Sequence, residues 1–266
     1  MPKNLSQFSR DEASKIQFVF TDIDDTLTTN GKLLPQAYLA LSQLQQQGLK
    51  VIPVTGRPAG WCDQIIRLWP VDAVIGENGA FYMWLDSASN KIQTHHILGD
   101  KERMSYQERL SLAQVKIQAT FPEIRFASDQ FSRMYDLAID VCEDVNPLSD
   151  EKVQSLIDFL EREGMSVKLS SIHINAWFGA WDKLSATKSL MMKLFGTDLD
   201  LANTHCAFIG DSPNDAPMFS YFKNSFGVAN VLNYESKMTT MPNWITSSPG
   251  SIGFAEFAAY LLDTQD

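Results

Sequence analysis

The sequence predicts an α/β fold, a doubly wound and mostly parallel sheet that is interrupted once by an inserted α+β domain. Short apolar runs alternate with helical patterns near both ends of the chain, as in a parallel sheet covered by helices on both faces. Between these regions, strands that carry alternating polar residues indicate an antiparallel layer with one solvated face. We expect a core over residues 1–83 and 179–266 and an inserted domain over 84–178.

The core begins after a short lead-in. The first fifteen residues have mixed charges and no long apolar run, which predicts a mobile lead-in and not a secretory signal. The apolar run 16–20 predicts a strand in the middle of the sheet. A helix follows, because Pro35 suits a first turn, Leu41 and Leu44 recur at helical spacing, and Gly48 can take the left-handed stop.

The same rhythm continues on both sides of the insertion. In the helix predicted over 58–69, we expect Trp61, Ile65 and Leu68 to share one face. The remaining core elements are the strands 51–54, 73–75, 207–209, 226–229 and 244–246 and the helices 184–195 and 254–262.

The insertion has a different pattern. The turn-rich segment 86–90 predicts a hairpin between strands 81–85 and 91–98. Other strands are predicted over 135–141, which should bury one face only, 167–169 and 172–176, and helices over 105–120 and 149–163, the second closed by Gly164.

Composition limits the partners. With 22 Lys and Arg against 32 Asp and Glu, the formal charge is −10, which argues against a nucleic-acid or anionic-membrane partner. The 3 cysteines are widely spread, so neither a disulfide framework nor a thiolate metal site is expected. No run approaches a membrane span. We expect a cytoplasmic protein, and the sequence carries no signal of its oligomeric state.

Three polar residues follow the predicted core strands. Asp22, Thr55 and Asp211 each come at or just beyond the carboxyl end of a strand. In an open α/β sheet, ligands bind in the crevice beyond these ends. The fold should therefore bring together residues that are far apart in sequence.

Asp22 and Asp24 form a carboxylate pair separated by one residue, so that extended backbone would point both to one side. One carboxylate can attack phosphorus while the other shuttles the proton. The two would repel each other without a cation, and Mg²⁺ fits because it prefers oxygen ligands and bridges carboxylates to phosphate. Asp211 and Asp215 could complete its coordination.

Phosphoryl transfer also needs donors for the oxygens on which charge develops. The candidates are Thr55 with the backbone of Gly56 and Arg57, and Lys183 near the start of a helix. Lys188 competes with Lys183 for this role, but a solvated lysine is the ordinary expectation inside a helix.

These segments together resemble the haloacid dehalogenase-like superfamily. The motifs are DxDxT from Asp22, TGR from Thr55, a lone Lys183 after the insertion, and GDSxND over 210–215. GENGA over 76–80 and GVAN over 227–230 resemble its Cof-type branch, which includes sucrose-phosphate and mannosylphosphoglycerate phosphatases. This chain has Leu184 where that branch usually has Gly.

The resemblance implies a role for each matching position. Asp22 would be the nucleophile, and Asp24 the general acid and base and a Mg²⁺ ligand through its backbone carbonyl. Lys183 would stabilise the transferring group and Thr55 would bind phosphate. The remaining implied roles are metal ligation by Asp211, orientation of Lys183 or water-mediated metal contact by Asp215, and support of the phosphate or metal shell by Asn214.

Weaker candidates keep two interpretations each. Arg57 could clamp the anionic part of a substrate or form a surface ion pair. His173 and Asn175 should share a strand face that meets the leaving group or is simply wet. The other candidates are Glu77 and Asn78, which either line the pocket edge or form a turn, and Trp177, Phe178 and Trp181, which form a packed hinge or a sugar-stacking platform. Adjacent His95 and His96 should face opposite ways and so not chelate one ion.

The sequence thus predicts a Mg²⁺-dependent phosphatase that acts on a small phosphorylated metabolite, such as a sugar phosphate, with the insertion as a cap domain. A phosphomutase or phosphotransferase would use the same aspartyl phosphate. A dehalogenase would need neither Asp24 nor a metal, and a non-catalytic binding module should have lost a functional residue.

Overall fold

A computed structural model describes residues 2–264 of the chain. Its strands are β1 (Lys3–Asn4), β2 (Phe18–Thr21), β3 (Thr28–Thr29), β4 (Lys32–Leu33), β5 (Lys50–Pro53), β6 (Ala73–Gly76), β7 (Phe81–Asp86), β8 (Lys91–His96), β9 (Leu137–Asp140), β10 (Ser166–Leu169), β11 (His173–Trp177), β12 (Cys206–Gly210), β13 (Asn224–Gly227) and β14 (Trp244–Ile245). Its α-helices are α1 (Arg10–Ala13), α2 (Pro35–Gln46), α3 (Ala59–Leu68), α4 (Asp100–Thr120), α5 (Asp150–Arg162), α6 (Lys183–Phe195), α7 (Leu199–Ala202), α8 (Ala216–Tyr221) and α9 (Gly250–Leu262).

The central sheet has six parallel strands in the order β1-β14-β13-β12-β2-β5. Strand β2 lies between β12 and β5, and all four of its residues are buried because helices cover both faces. Its register pairs Thr21 with Ile209 and with Pro53, so the carboxyl ends of three strands meet at one edge. The predicted fold class is confirmed.

Helices pack on both faces of this sheet. On one face α2 packs against α9, where Leu41 and Phe257 are fully buried. On the other face α6 contributes Leu190 and Met191 to a second apolar core, together with Phe208 of β12. This is the doubly wound arrangement, in which the central strands are buried on both sides.

The buried face of α3 differs from the predicted one. Of the expected trio, Ile65 is buried, whereas Trp61 is 37% and Leu68 is 59% exposed. Cys62 and Ile66 supply the buried contacts instead. Trp61 faces outward because its ring packs against the guanidinium of Arg57, with 4.3 Å between the Arg57 Cζ and the ring centroid.

The predicted mobile lead-in is wrong. Strand β1 adds the outermost strand of the sheet by pairing with β14. Phe8 is 2% exposed and its ring lies 5.0 Å from that of Phe226 and 4.7 Å from that of Trp244, centroid to centroid. Burial of Phe8, together with Leu5 and Ala13, holds this segment against the core.

The predicted hairpin, β7 and β8, is present, but it belongs to a sheet with β6, next to the central sheet. Strand β7 pairs antiparallel with β6, and a single bridge between Val54 and Ile75 links β6 to the end of β5. The hairpin therefore does not pair with the sheet of the insertion. The division of the chain at 83/84 and 178/179 stays a prediction.

The insertion contains a three-stranded antiparallel sheet in the order β10-β11-β9. The expectation that β9 buries one face only is wrong, because all residues of β9 and β11 are buried. Leu137 and Ile139 face the apolar core beside α4 and α5, while Asp140, His173 and Asn175 supply the buried polar side chains.

The predicted helix ends are confirmed where turn chemistry defined them. Pro35 begins α2, and Gly48 and Gly164 follow their helices with φ of +87° and +77°. In addition, Ser149 caps α5 by accepting the backbone N–H of Lys152. Within residues 2–264, no helix is both long and apolar enough to cross a membrane.

Candidate active site

The strand ends carry the predicted site residues to one edge of the sheet. Asp22 follows β2, and its backbone N–H donates to Ile209 O in β12 at 2.9 Å. Asp211 follows β12 directly, and Thr55 comes two residues after β5. Parallel register therefore brings together residues that are up to 189 positions apart in sequence, from Asp22 to Asp211.

Lys183 lies between two of these carboxylates. Its Nζ is 2.6 Å from Asp22 Oδ1 and 2.7 Å from Asp215 Oδ1, and all three side chains are buried. Lys183 is the first residue of α6, whose N-cap Asp182 accepts the N–H of Ser185. The helix start thus directs a buried ammonium group to the site, where charge pairing raises the Lys183 pKa against the opposing effect of burial.

Lys188, the competing candidate, lies away from the carboxylates. Its Nζ is 2.8 Å from Asp200 Oδ1, and both side chains are substantially exposed. The solvated ion pair is the ordinary behaviour of a helical lysine.

Asp215 is positioned by a close approach to the backbone. Its Oδ2 accepts the N–H of Asp211 at 3.1 Å, and an ideal Cβ on Gly210 would lie only 2.3 Å from that same oxygen. A glycine at 210 therefore leaves the space that the Asp215 carboxylate occupies. The other oxygen of Asp215 stays directed at Lys183.

Three carboxylates converge at this point. One oxygen from each of Asp22, Asp211 and Asp215 lies within 4.8 Å of the others. Asp211 accepts hydrogen bonds from Thr26 Oγ1 at 3.2 Å and from Asn230 Nδ2 at 3.0 Å, both of them uncharged donors. One ammonium group thus faces three carboxylates, and this all-oxygen set fits a divalent cation such as Mg²⁺.

The electrostatics of the cluster are those of crowded buried acids. Burial raises the pKa of Asp22 to about 8, with a smaller rise from Asp215 and an opposing effect of Lys183. Burial, followed by repulsion from Asp22 and Asp215, raises the pKa of Asp211 well above its ordinary value. Additional positive charge would stabilise the ionised form of all three.

Asp24 lies outside this group of carboxylates and is held by Arg57. Arg57 Nε donates to both carboxylate oxygens of Asp24, at 3.0 and 3.1 Å, and Arg57 Nη2 donates to Oδ1 at 2.8 Å. This forked contact fixes the orientation of the carboxylate. Arg57 is itself only 3% exposed, so it is not a surface ion pair.

Most backbone N–H groups of the segment 55–57 are already hydrogen-bonded within the protein. The N–H of Thr55 donates to Ile75 O at 2.9 Å, and the N–H of Arg57 donates to Thr55 Oγ1 at 3.0 Å. Three backbone N–H groups were predicted to hold phosphate. Those of Thr55 and Arg57 already donate hydrogen bonds within the protein, whereas no such bond involves that of Gly56 among the described contacts. Asn214 is buried, and its Oδ1 accepts the hydroxyl of Ser212 at 2.8 Å.

Two acidic residues of the insertion reach the site, and sequence reasoning missed both. Glu143 Oε1 is 2.7 Å from Arg57 Nη2, and Asp129 Oδ2 is 3.4 Å from Arg57 Nη1. Glu143 Oε2 is also 2.9 Å from His173 Nε2. Neither residue belongs to a motif, and the only sequence signal was the acidic run around residues 140–144.

The weaker candidates are mostly structural contacts. Asn175 Nδ2 donates to Asp136 Oδ2 at 2.8 Å, so the interpretation of its strand face as wet is wrong. Glu77 accepts backbone N–H groups from Ala59, Met134 and Tyr135 and so ties the core to the insertion. Asn78 is buried beside Gly56, and neither atom of its amide has a partner among the described residues.

The aromatic and histidine candidates do not line the site. Trp177, Phe178 and Trp181 are buried and in ring contact with one another or with Tyr106, which agrees with a packed junction. His96 Nδ1 is 2.8 Å from the Tyr135 hydroxyl, while His95 contacts Lys193. The two histidines therefore point to different surroundings, as predicted.

Comparisons with known proteins show a family and a fold. A family model described as haloacid dehalogenase-like hydrolase matches residues 19–124 and 179–248. A protein from Archaeoglobus fulgidus named phosphoglycolate phosphatase is 26% identical over 250 residues, which cover 93% of this chain and 97% of that one.

Two solved structures share the fold. A HAD/COF-like hydrolase from Plasmodium vivax superposes with a TM-score of 0.68 at 16% identity, covering 96% of this chain and 99% of that one. The sucrose-phosphatase from Synechocystis superposes with a TM-score of 0.63 at 15% identity, covering 92% of this chain and 98% of that one.

Proposed function

Because the chain belongs to the haloacid dehalogenase-like hydrolases, we propose that it is a Mg²⁺-dependent phosphatase of a small phosphorylated metabolite. Asp22 is the nucleophile and the intermediate is an aspartyl phosphate. The observation that carries this proposal is the contact of one buried ammonium, Lys183, with both Asp22 and Asp215 beside Asp211. The name of the archaeal relative supports the same reaction class.

The first half-reaction transfers phosphoryl to Asp22. A carboxylate oxygen of Asp22 bonds to phosphorus as the ester P–O bond breaks, and Asp24 gives its proton to the departing alkoxide. Lys183 Nζ, already 2.6 Å from Asp22, stabilises negative charge on the phosphoryl oxygens. Arg57 holds the Asp24 carboxylate in one orientation through its forked contact.

The second half-reaction releases phosphate. Asp24, now ionised, removes a proton from water, and the water oxygen bonds to phosphorus as the bond to Asp22 breaks. The products are the alcohol and inorganic phosphate, and both carboxyl groups return to their starting protonation states. Thr55 and Asn214 serve as phosphate-binding residues, the role that the family resemblance implies for them.

The metal would be held by Asp22, Asp211 and Asp215, with the backbone carbonyl of Asp24 as the ligand that the family resemblance implies. When bound, Mg²⁺ supplies positive charge that offsets carboxylate and phosphate repulsion. Residues 84–178 act as a cap domain that covers the site and excludes water. The contacts of Glu143 and Asp129 with Arg57 support this role.

Product analysis tests the proposal. The purified protein is incubated with a panel of phosphorylated metabolites, including phosphoglycolate and sugar phosphates, with and without Mg²⁺. We expect release of inorganic phosphate only with the metal. Transfer of phosphate to a second hydroxyl without its release would identify a phosphotransferase instead, and no reaction with any substrate would reject catalysis.

The Asp22→Asn variant makes the test specific. It should abolish Mg²⁺-dependent hydrolysis of an activated aryl phosphate while the circular dichroism spectrum and thermal transition stay those of a folded protein. Substantial turnover by this folded variant would exclude Asp22 as the nucleophile.

A further inference from the structure

A cavity of about 400 Å³ opens beside Asp24, between the core and the insertion. Asp24, Asp25 and Arg57 line it from the core, and Glu143 and Ser171 line it from the insertion. Since the proposed general acid must reach the departing oxygen, this space beside Asp24 is where we expect the leaving group of the substrate. We call it the leaving-group cavity.

The lining of the leaving-group cavity has more acidic than basic side chains. Its lining includes the carboxylates of Asp24, Asp25 and Glu143, whereas Arg57 is the one cation among the described residues that line it. Arg57 already contacts three carboxylates, those of Asp24, Glu143 and Asp129. Its charge is therefore offset before any substrate arrives.

Glu143 is held in position by the loop that carries it. Asp140 Oδ1 accepts the backbone N–H groups of Cys142 and Glu143, at 3.0 and 2.7 Å, which fixes the turn after β9. The side chain is then shared between Arg57 and His173. These two partners hold the pKa of Glu143 down to about 2 despite partial burial, so its carboxylate is ionised at neutral pH.

We propose that Glu143 determines specificity by excluding leaving groups that carry a carboxylate, so that the substrate is a phosphate monoester of an uncharged, hydroxyl-bearing alcohol. A second carboxylate brought against the ionised Glu143 would be repelled, and Arg57 has no spare charge to hold it. Alcohol hydroxyls, in contrast, can donate to these acceptors. The inference rests on the proposed function, because it assigns the leaving group of that reaction.

A matched pair of substrates isolates the charge. Glycerol 3-phosphate and 3-phosphoglycerate differ only in a hydroxymethyl group in place of a carboxylate. With Mg²⁺ present, we expect kcat/KM of the native protein to favour glycerol 3-phosphate by about tenfold or more, the size of effect that one close like charge produces.

Two variants assign this preference to Glu143. Glu143→Gln keeps the size and a hydrogen-bonding oxygen but removes the charge, and it should reduce the substrate preference severalfold. Asp144→Asn removes one charge from the adjacent position of the same loop, but Asp144 lines a different cavity, beside Trp61. The preference should persist in Asp144→Asn.

The outcomes separate this inference from the proposed function. An activated aryl phosphate has no carboxylate in its leaving group, and its Mg²⁺-dependent hydrolysis reports on the phosphatase chemistry alone. If the aryl phosphate is hydrolysed but 3-phosphoglycerate is preferred over glycerol 3-phosphate, or if Glu143→Gln leaves the preference unchanged, the role of Glu143 is rejected while the phosphatase stands. If neither the aryl phosphate nor any metabolite monoester is hydrolysed, both proposals fail.

Discussion

Replacing Lys183 by methionine tests the charge balance of the site. The substitution keeps the apolar stem but removes the ammonium that lies 2.6 Å from Asp22 and 2.7 Å from Asp215. Asp22 is 4% and Asp215 is 0% exposed, so both carboxylates lose their cation in a largely desolvated place. Breaking a buried pair from one side costs about 3–5 kcal/mol of unfolding free energy. Loss of a preorganised electrostatic contact lowers kcat by about 10²–10³.

The matched control is Lys188→Met on the same helix. Lys188 pairs with Asp200 at 2.8 Å, but their side chains are 40% and 60% exposed. Such a pair contributes about 0–1 kcal/mol, so this variant should keep both stability and turnover. Urea unfolding of the metal-free proteins gives the stability difference, and phosphate release from an activated ester with Mg²⁺ gives kcat.

The Lys183→Met variant should also respond to added metal. A divalent cation can neutralise the negative charge that Lys183 no longer balances. Added Mg²⁺ should therefore recover part of the lost stability and little of the lost turnover. If Lys183→Met and Lys188→Met had equal unfolding free energies and equal kcat, the buried ammonium would have no special role.

Three other perturbations have defined outcomes. Gly210→Ala puts a Cβ 2.3 Å from Asp215 Oδ2 and should displace that carboxylate. We expect kcat to fall by about 10²-fold, as for a misplaced catalytic group. A crystal structure of the variant with Asp215 unmoved, together with a native kcat, would contradict this. Phe8→Ala should reduce the free energy of unfolding, measured in urea, by about 3–5 kcal/mol, because Phe8 is buried against three aromatic rings. A loss below about 1 kcal/mol would mean that Phe8 does not hold the N-terminal segment against the core. Removal of divalent cations with EDTA should stop phosphate release and added Mg²⁺ should restore it, whereas an undiminished rate in EDTA would exclude a metal-dependent reaction.

Much of the central site was predictable because it depends on topology. Asp22 and Asp211 follow apolar runs that are typical of central parallel strands, and parallel strands end at one edge of the sheet. The choice of Lys183 over Lys188 followed from its position at a helix start, which the structure has at the carboxylates. The choice between these two lysines therefore needed only the sequence.

The residues contributed by the insertion were not predictable in the same way. Glu143 and Asp129 meet Arg57 only because of how the inserted sheet packs over the core, and no local pattern encodes that packing. The strand face that carries His173 was expected either to meet the leaving group or to be wet, and the wet alternative is wrong, because His173 is 2% exposed. Phe8 was missed because a single aromatic residue gives no periodic signal.

The most direct measurement of the central claim is chemical trapping of the intermediate. The protein is mixed with an activated phosphate ester and Mg²⁺, quenched in acid within the first turnover, and treated with borohydride, which reduces an acyl phosphate to an alcohol. We expect peptide mass spectrometry to find homoserine at position 22, dependent on both substrate and metal. Homoserine at Asp24 or another carboxylate, or none at all during active turnover, would contradict the nucleophilic role of Asp22.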